Sequence, residues 1–226
     1  MIGVFDSGVG GLCAYREIRR LMPYEDAIYL ADIKNAPYGT KSEEEIIALT
    51  RADIKRLSAY GARKILIACC TASTVWHRLD REEREISIPI ITPTARIAAF
   101  SGERIAVIAT RHTAESSAFS REIGKFSRAK VYEFAEQRLV SLVEGGNRDG
   151  CVSPDCLAEL SAISERIRAK RADVLILGCT HFSHLECELS RLLPEVKIIS
   201  PARVGALEMA RIINGGQKER GRMIYT

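Results

Sequence analysis

Residues 64–79 read KILIACCTASTVWHRL, and residues 173–189 read DVLILGCTHFSHLECEL. Each stretch opens with a short apolar run, reaches a cysteine, and then changes to the spacing of a helix. An apolar run of this length before a helix is typical of a buried strand in a parallel sheet. The two stretches therefore predict two junctions of one kind, each with a cysteine at the carboxyl end of a strand.

The same alternation of strand and helix patterns recurs along the chain. Helical spacing is found in residues 42–60, 112–126 and 153–171, and both Ser42 and Ser153 are suitable N-cap residues. Strands that alternate with helices in this way form βαβ units and a parallel sheet. The sequence predicts an α/β fold, with further strands within residues 2–5, 27–31, 88–91, 104–109, 130–134 and 196–200.

The pattern also divides the chain into two similar halves. The stretch IGVFDSG (2–8) is an apolar run before a helix pattern, and so is RIAVIAT (104–110). The two cysteine stretches form a second matching pair. We expect two similar αβα domains with mainly parallel sheets, related by a pseudo-twofold axis, with the active site in the cleft between them. The predicted first domain comprises residues 1–92 plus 203–226, and the second comprises residues 93–202.

Composition limits the classes of function. Hydrophobic residues make up 46% and charged residues 27% of the 226 residues, which is typical of a soluble globular protein. The net charge of +4 comes from scattered Lys and Arg, so neither nucleic acid nor a membrane is an expected partner. With seven cysteines and no export signal, we expect reduced thiols in a cytoplasmic protein that binds a small molecule.

Cys69 and Cys179 are the leading candidates for catalysis. If the two halves face each other, the thiols approach a bound molecule from opposite sides, as racemisation of an amino acid requires. A helix that begins just after each cysteine would favour its thiolate. Two alternatives remain open: buried cysteines can be simple core residues, and Cys179 with His181 could ligate a metal.

Two loops could bind the substrate. Asp6 and Ser7 begin a glycine-rich turn whose backbone N–H groups could hold a carboxylate, although Asp6 could equally be a helix cap. The turn matches no nucleotide-binding pattern. The loop 37–39, Pro-Tyr-Gly, could present further N–H groups, or could be a plain turn. His181, beside Cys179, could hold a proton near neutral pH.

Taken together, these motifs resemble the glutamate racemase family of the aspartate/glutamate racemase superfamily, over almost the whole chain. The resemblance implies two catalytic cysteines, Cys69 and Cys179, assisted by Asp6, His181 and Glu144. The motifs that carry it are residues 5–12, 31–32 with 37–42, 68–73 and 177–181.

The resemblance further implies substrate contacts from the residues Ser7, Pro37, Tyr38, Gly39, Thr71 and Thr180. Cys70 stands where the family has a polar residue of the site, and we expect it either to line the cleft as a substrate-binding residue or to point into the core behind Cys69. It implies no metal, pyridoxal phosphate or nucleotide as cofactor. The implied assembly is a homodimer, and the implied role is the supply of D-glutamate for peptidoglycan in cell wall biogenesis.

Two departures from the family pattern bear on the substrate. The family has Asn where this chain has Cys70, and the segment 135–143 lacks the family's Cys-Pro start and carries Glu136-Gln137-Arg138 instead. Glutamate racemisation is the leading hypothesis, and racemisation of another amino acid such as aspartate is its rival. A third hypothesis is a relative that binds an acidic metabolite without turnover.

Overall fold

The computed structural model describes residues 1–146 and 152–222 and contains two four-stranded parallel sheets. In the first sheet the strands are β1 (Ile2–Asp6), β2 (Ala27–Ala31), β3 (Lys64–Ile67) and β4 (Ser87–Pro89), in the order β2-β1-β3-β4. In the second sheet they are β5 (Arg104–Ala109), β6 (Lys130–Ala135), β7 (Val174–Gly178) and β8 (Lys197–Ile199), in the order β6-β5-β7-β8. The two halves thus repeat one topology, as the sequence predicts.

Helices flank both sheets. They are α1 (Leu12–Leu21), α2 (Glu43–Ala59), α3 (Cys70–Thr74), α4 (Arg81–Ile86), α5 (Ile91–Ala99), α6 (Arg111–Glu115), α7 (Ala118–Ile123), α8 (Gln137–Gly146), α9 (Pro154–Ala169), α10 (Glu186–Leu192) and α11 (Pro201–Arg222). None of the helices within residues 1–146 and 152–222 is both long and apolar enough to cross a membrane.

Local capping explains where the two long predicted helices begin. The Ser42 hydroxyl accepts a hydrogen bond from the Glu45 N–H, and the Glu45 carboxylate accepts one from the Ser42 N–H. The Ser153 hydroxyl accepts a hydrogen bond from the Cys156 N–H at the start of α9, with Pro154 as the first helical residue. Both N-cap predictions are confirmed.

The helical spacing of residues 112–126 corresponds to helical structure, but not to one continuous helix. The segment forms two short helices, α6 and α7, because Ser117 adopts a left-handed conformation with φ of 50° between them. Such a conformation is uncommon for a residue with a side chain, and the apolar spacing continues across it. Sequence periodicity therefore could not reveal the break.

A shared core joins the two sheets. One cluster of buried side chains contains Val4 and Leu66 of the first sheet together with Val107 and Ile176 of the second. Helices α1, α5, α7 and α11 contribute further side chains to this cluster, and α11 packs against both α1 and α5. Burial of this common apolar surface fixes the orientation of one sheet relative to the other.

The predicted domain boundaries fall in the two connections between the sheets. Residue 92 lies in the first turn of α5, and residue 202 lies in the first turn of α11. Residues 223–226, which the prediction assigned to the first domain, lie outside the described residues. The division into residues 1–92 plus 203–226 and 93–202 stays a prediction.

The glycine-rich turn after β1 closely approaches the segment after β7. A Cβ atom at Gly10 would lie 2.6 Å from Thr180 Oγ1 and 3.0 Å from the backbone nitrogen of His181. Both distances are shorter than ordinary contacts with a Cβ atom, so this crossing requires a residue without a side chain.

We expect Gly10→Ala to lower the free energy of unfolding by about 1–3 kcal/mol, because the added methyl group must push the two segments apart. Chemical denaturation measures this difference. Gly8→Ala is the matched control, since a Cβ atom there meets nothing within 4 Å. Equal stability of Gly10→Ala and Gly8→Ala would contradict the close approach.

Candidate active site

The order of the strands marks one position in each sheet where a ligand can bind. Strand order reverses between β1 and β3, and again between β5 and β7. Ligands of open α/β sheets bind beyond the carboxyl ends of the strands at such points. The residues that follow these four strands all line one pocket, namely Ser7, Cys69, Thr110 and Cys179.

The pocket brings together most of the site residues predicted from sequence. Its predicted lining residues are Ser7, Pro37, Tyr38, Gly39, Cys69, Cys70, Thr71, Cys179, Thr180 and His181. Asp6 lies directly behind the lining and contacts Thr180. Glu144 belongs to α8, but its side chain lies outside the part of the structure that is described.

Sequence reasoning missed five lining residues, which are Gly8, Ala36, Thr110, Gln137 and Val140. Thr110 could have been found, because it follows β5 as Cys69 follows β3. Its hydroxyl lies 3.0 Å from the Thr71 hydroxyl and 2.9 Å from the Thr113 hydroxyl. This chain of hydroxyl groups joins the two sheets at the pocket.

Cys69 is the N-cap residue of α3. Its Sγ accepts a hydrogen bond from the Ala72 N–H at 3.4 Å and lies 3.4 Å from the Ser7 hydroxyl. Burial, together with the charge of Asp6, raises the pKa of the Cys69 thiol to about 11 even though these hydrogen bonds lower it. The expected contact with a helix N-terminus is present, but the group is a thiol at neutral pH.

Cys179 follows β7 in the second sheet, as Cys69 follows β3 in the first. Its Sγ lies 3.6 Å from His181 Nδ1, and both residues are buried. Thr180–Leu185 form a 3₁₀ segment rather than an α-helix, and Cys179 does not cap it through its side chain. A helical segment therefore begins directly after Cys179, as expected, but it is a 3₁₀ segment, and the influence of its N-terminus on the thiol stays a prediction.

Asp6 is fully buried at the end of β1. Its carboxylate accepts hydrogen bonds from the Thr180 hydroxyl at 3.1 and 3.3 Å, and from the N–H groups of Gly8 and Gly11. Burial raises the pKa of Asp6, although the charge of His181 and the hydrogen bonds lower it. Two N–H groups of the glycine-rich turn thus face Asp6, and the expectation that the turn holds a substrate carboxylate stays a prediction.

The loop 37–39 is held by a buried network behind the pocket. The Tyr38 hydroxyl lies 2.7 Å from the Asp32 carboxylate and 3.1 Å from the Asp53 carboxylate. A hydroxyl has one hydrogen, so it can donate fully to only one of these acids at a time. Burial and the neighbouring charge of Asp32 raise the pKa of Asp53 to about 6.

Cys70 serves both the pocket and the core. It lines the pocket, yet it also packs into the apolar cluster shared by the two sheets. Burial, together with the neighbouring Cys179, raises the pKa of Cys70 well above its ordinary value. It is therefore a neutral thiol, which donates and accepts hydrogen bonds only weakly.

The pocket is a narrow cavity of about 30 Å³. A larger cavity of about 470 Å³ lies elsewhere, beside Arg104 and Lys130 at the opposite edge of the second sheet. It contains neither thiol, so the smaller pocket is the candidate active site. Among the described residues, no group of three or more His, Cys, Asp or Glu side chains could hold a metal ion.

Comparison with known proteins identifies relatives of this chain. The family described as Asp/Glu/hydantoin racemase matches residues 12–209. A glutamate racemase of Gloeobacter violaceus is 36% identical over 217 residues, which cover 93% of this chain and 79% of that protein.

Solved structures give the same result. The crystal structure of glutamate racemase isoform RacE1 from Bacillus anthracis has a TM-score of 0.88 and 31% identity, and the match covers 96% of this chain and 82% of that one. Glutamate racemase from Francisella tularensis in complex with D-glutamate has a TM-score of 0.84 and 30% identity, covering 96% and 81%.

Asp53 provides a test of the network behind the pocket. The folded-state pKa of about 6 lies above the unfolded value of about 3.9, so protonation of Asp53 stabilises the fold. This contribution is complete below about pH 4 and is lost as the pH rises through about 6. We expect Asp53→Asn to be more stable than the wild type by about 1–3 kcal/mol at pH 8 and equally stable at pH 4.

Thermal and chemical denaturation at several pH values measure this difference. Asp26→Asn, at an exposed position, is the control and should show no such pH dependence. A wild type that is more stable than Asp53→Asn at pH 8 would contradict the raised pKa. In that case the ion pair of Asp53 with Arg56 would outweigh burial.

Proposed function

Because the chain belongs to the Asp/Glu/hydantoin racemase family and is an amino-acid racemase, we propose that it interconverts L- and D-glutamate. We further propose that Cys69 and Cys179 act as two opposed bases and that no cofactor is needed. The observation that carries the proposal is that both thiols line one pocket while they follow equivalent strands of two repeated sheets.

The reaction moves one proton at each face of the α-carbon. One cysteine, as thiolate, removes the α-hydrogen, while the opposite thiol gives its proton to the other face. The thiol and thiolate exchange places in the reverse direction, so charge and protons balance. Asp6 assists on the side of Cys69, and His181, 3.6 Å from Cys179 Sγ, assists on the other side.

The pocket must stabilise a carbanion without an electron sink. The donors available on the lining are neutral hydroxyl groups, contributed by Ser7, Thr71, Thr110 and Thr180. No Lys or Arg lines the described pocket, so the substrate carboxylates must be held by hydrogen bonds rather than ion pairs. Loss of one such preorganised donor costs on the order of 3 kcal/mol in the barrier.

Three features support independence from cofactors. The described residues offer no cluster of metal ligands. No lysine on the described lining could form a Schiff base with pyridoxal phosphate. The N–H groups of Gly8 and Gly11 donate to Asp6 rather than facing a phosphate group.

Other expectations stay predictions. They are the contribution of Glu144, the homodimer, a cytoplasmic location and the supply of D-glutamate for peptidoglycan. Racemisation of aspartate is the rival activity, and assays on both amino acids separate the two. A relative that binds without turnover is disfavoured because both cysteines are present in the pocket.

We expect Cys69→Ala and Cys179→Ala each to lower kcat/KM for glutamate racemisation by at least about a hundredfold, because each removes an obligatory acid–base group. Circular dichroism of the amino acid follows the reaction in enzyme dialysed against EDTA. Cys156→Ala is the matched control: this cysteine is also buried, but it lies on α9 outside the pocket.

The control variant should retain wild-type activity, and so should the wild type after dialysis. If either pocket variant keeps more than about a tenth of kcat/KM, that cysteine is not an obligatory base. Activity that is lost on dialysis and restored by zinc would support the alternative metal site at Cys179 and His181.

A further inference from the structure

Asp53 is a buried acid that has no part in the mechanism proposed above. It lies in the middle of α2, and it is only 2% exposed. A carboxyl group is rarely buried unless a partner compensates for the loss of water. One partner here is the Tyr38 hydroxyl, which lies 3.1 Å from Asp53 Oδ2. Asp53 is therefore joined to a residue that lines the candidate active site.

A second acid shares the same hydroxyl. The Tyr38 oxygen lies 2.7 Å from Asp32 Oδ2, and the Asn35 amide donates to both carboxylate oxygens of Asp32 at 2.9 and 3.0 Å. A hydroxyl group has one hydrogen, and the shorter distance favours Asp32 as its acceptor. Asp53 therefore faces an oxygen whose only hydrogen points to another acid.

A proton on Asp53 completes this network. A protonated carboxyl group has one O–H donor, and the Tyr38 oxygen can accept from it. The hydrogen bonds then run in one direction, from Asp53 through Tyr38 to Asp32. Without that proton, two carboxylates compete for one hydrogen and their charges repel each other. The network therefore holds Tyr38 more firmly when Asp53 is protonated.

The groups around Asp53 decide the pH at which this proton leaves. Burial and the charge of Asp32 raise the pKa of Asp53 to about 6, while Arg56 Nη1, 3.3 Å from Asp53 Oδ1, lowers it. The Arg56 side chain is 59% exposed, so water screens its effect. Helix α2 also packs against β1, β2 and α3, whose titratable groups are Asp6, Tyr29 and Cys70.

Tyr38 connects this network to the pocket. Pro37, Tyr38 and Gly39 line the pocket together with both thiols. On its other side the loop has little room, because a Cβ atom at Gly39 would lie 2.8 Å from Gln137 Oε1 and 2.9 Å from Thr110 Cβ. The loop is thus held between the buried acids and the second half of the chain. A shift of Tyr38 would change the wall that a substrate contacts.

We propose that Asp53 is a positioning residue for the reaction: its protonated carboxyl group holds the Tyr38 hydroxyl and so fixes the loop 37–39 for substrate binding. This inference rests on the proposed racemisation of glutamate. Asp53 is not part of the described lining of the pocket. It acts through Tyr38 and takes no part in proton transfer, so its state changes KM rather than kcat.

The test compares the wild type with Asp53→Asn, with KM and kcat measured for glutamate in both directions at several pH values. An amide at position 53 can donate to Tyr38 at every pH, whereas the acid does so only when protonated. We expect the wild-type KM to equal that of Asp53→Asn at about pH 5 and to exceed it about threefold or more at about pH 8, because one hydrogen bond is lost. The two kcat values should stay within about twofold of each other. All other titratable groups are common to both proteins, so the ratio of the two KM values isolates Asp53.

Arg56→Gln gives an independent test, because loss of this cation raises the pKa of Asp53 further. In this variant the increase of KM should occur at a higher pH than in the wild type. Glu44→Gln is the matched control, since it removes a carboxylate from an exposed position of the same helix. It should leave the pH dependence of KM unchanged.

A KM ratio that does not vary with pH, or a pH dependence that differs in kcat instead, would overturn the positioning role and leave the two-cysteine reaction intact. An unchanged pH profile in Arg56→Gln would also overturn it. A wild type that does not racemise glutamate would overturn the proposed function and this inference with it.

Discussion

The site depends on one geometric constraint: the carboxyl ends of two parallel sheets face each other where the strand order of each sheet reverses. That constraint brings the ends of β1, β3, β5 and β7 to one pocket, although they are far apart in sequence. The apolar core shared by both sheets holds the orientation, and the chain crosses between them only through the segments around α5 and α11. Hydrogen bonds between Thr71 and Thr110, and between Thr180 and Asp6, then join the facing edges.

Burial sets the chemistry of this pocket. It raises the pKa of Asp6 and of the thiols at positions 69 and 70, so a thiolate must be formed against a desolvation cost. The same exclusion of water strengthens every hydrogen bond made to a developing charge.

Much of the architecture could be predicted from the sequence, because it rests on local patterns. Apolar runs before helices predicted the strands, and the repeat of a cysteine after two such runs predicted the pair of thiols. Contacts that depend on the approach of distant segments could not be predicted. The Thr180 hydroxyl donates to Asp6 from the other half of the chain, and Gln137 enters the pocket from the opposite half. The break at Ser117 depends on a single backbone angle that leaves no trace in the apolar spacing.

The central claim is that two different groups act on opposite faces of one carbon atom. The most direct test is to run the reaction in D₂O, separate the enantiomers early in the reaction, and measure the α-deuterium content of each by mass spectrometry. Two opposed bases predict that the newly formed enantiomer carries α-deuterium in both directions, while the unreacted enantiomer keeps its protium. The hydrogen that one thiol removes is not the one that the other thiol supplies. A product that retains the protium of its substrate would mean that a single group carries the hydrogen from one face to the other, and would contradict the account.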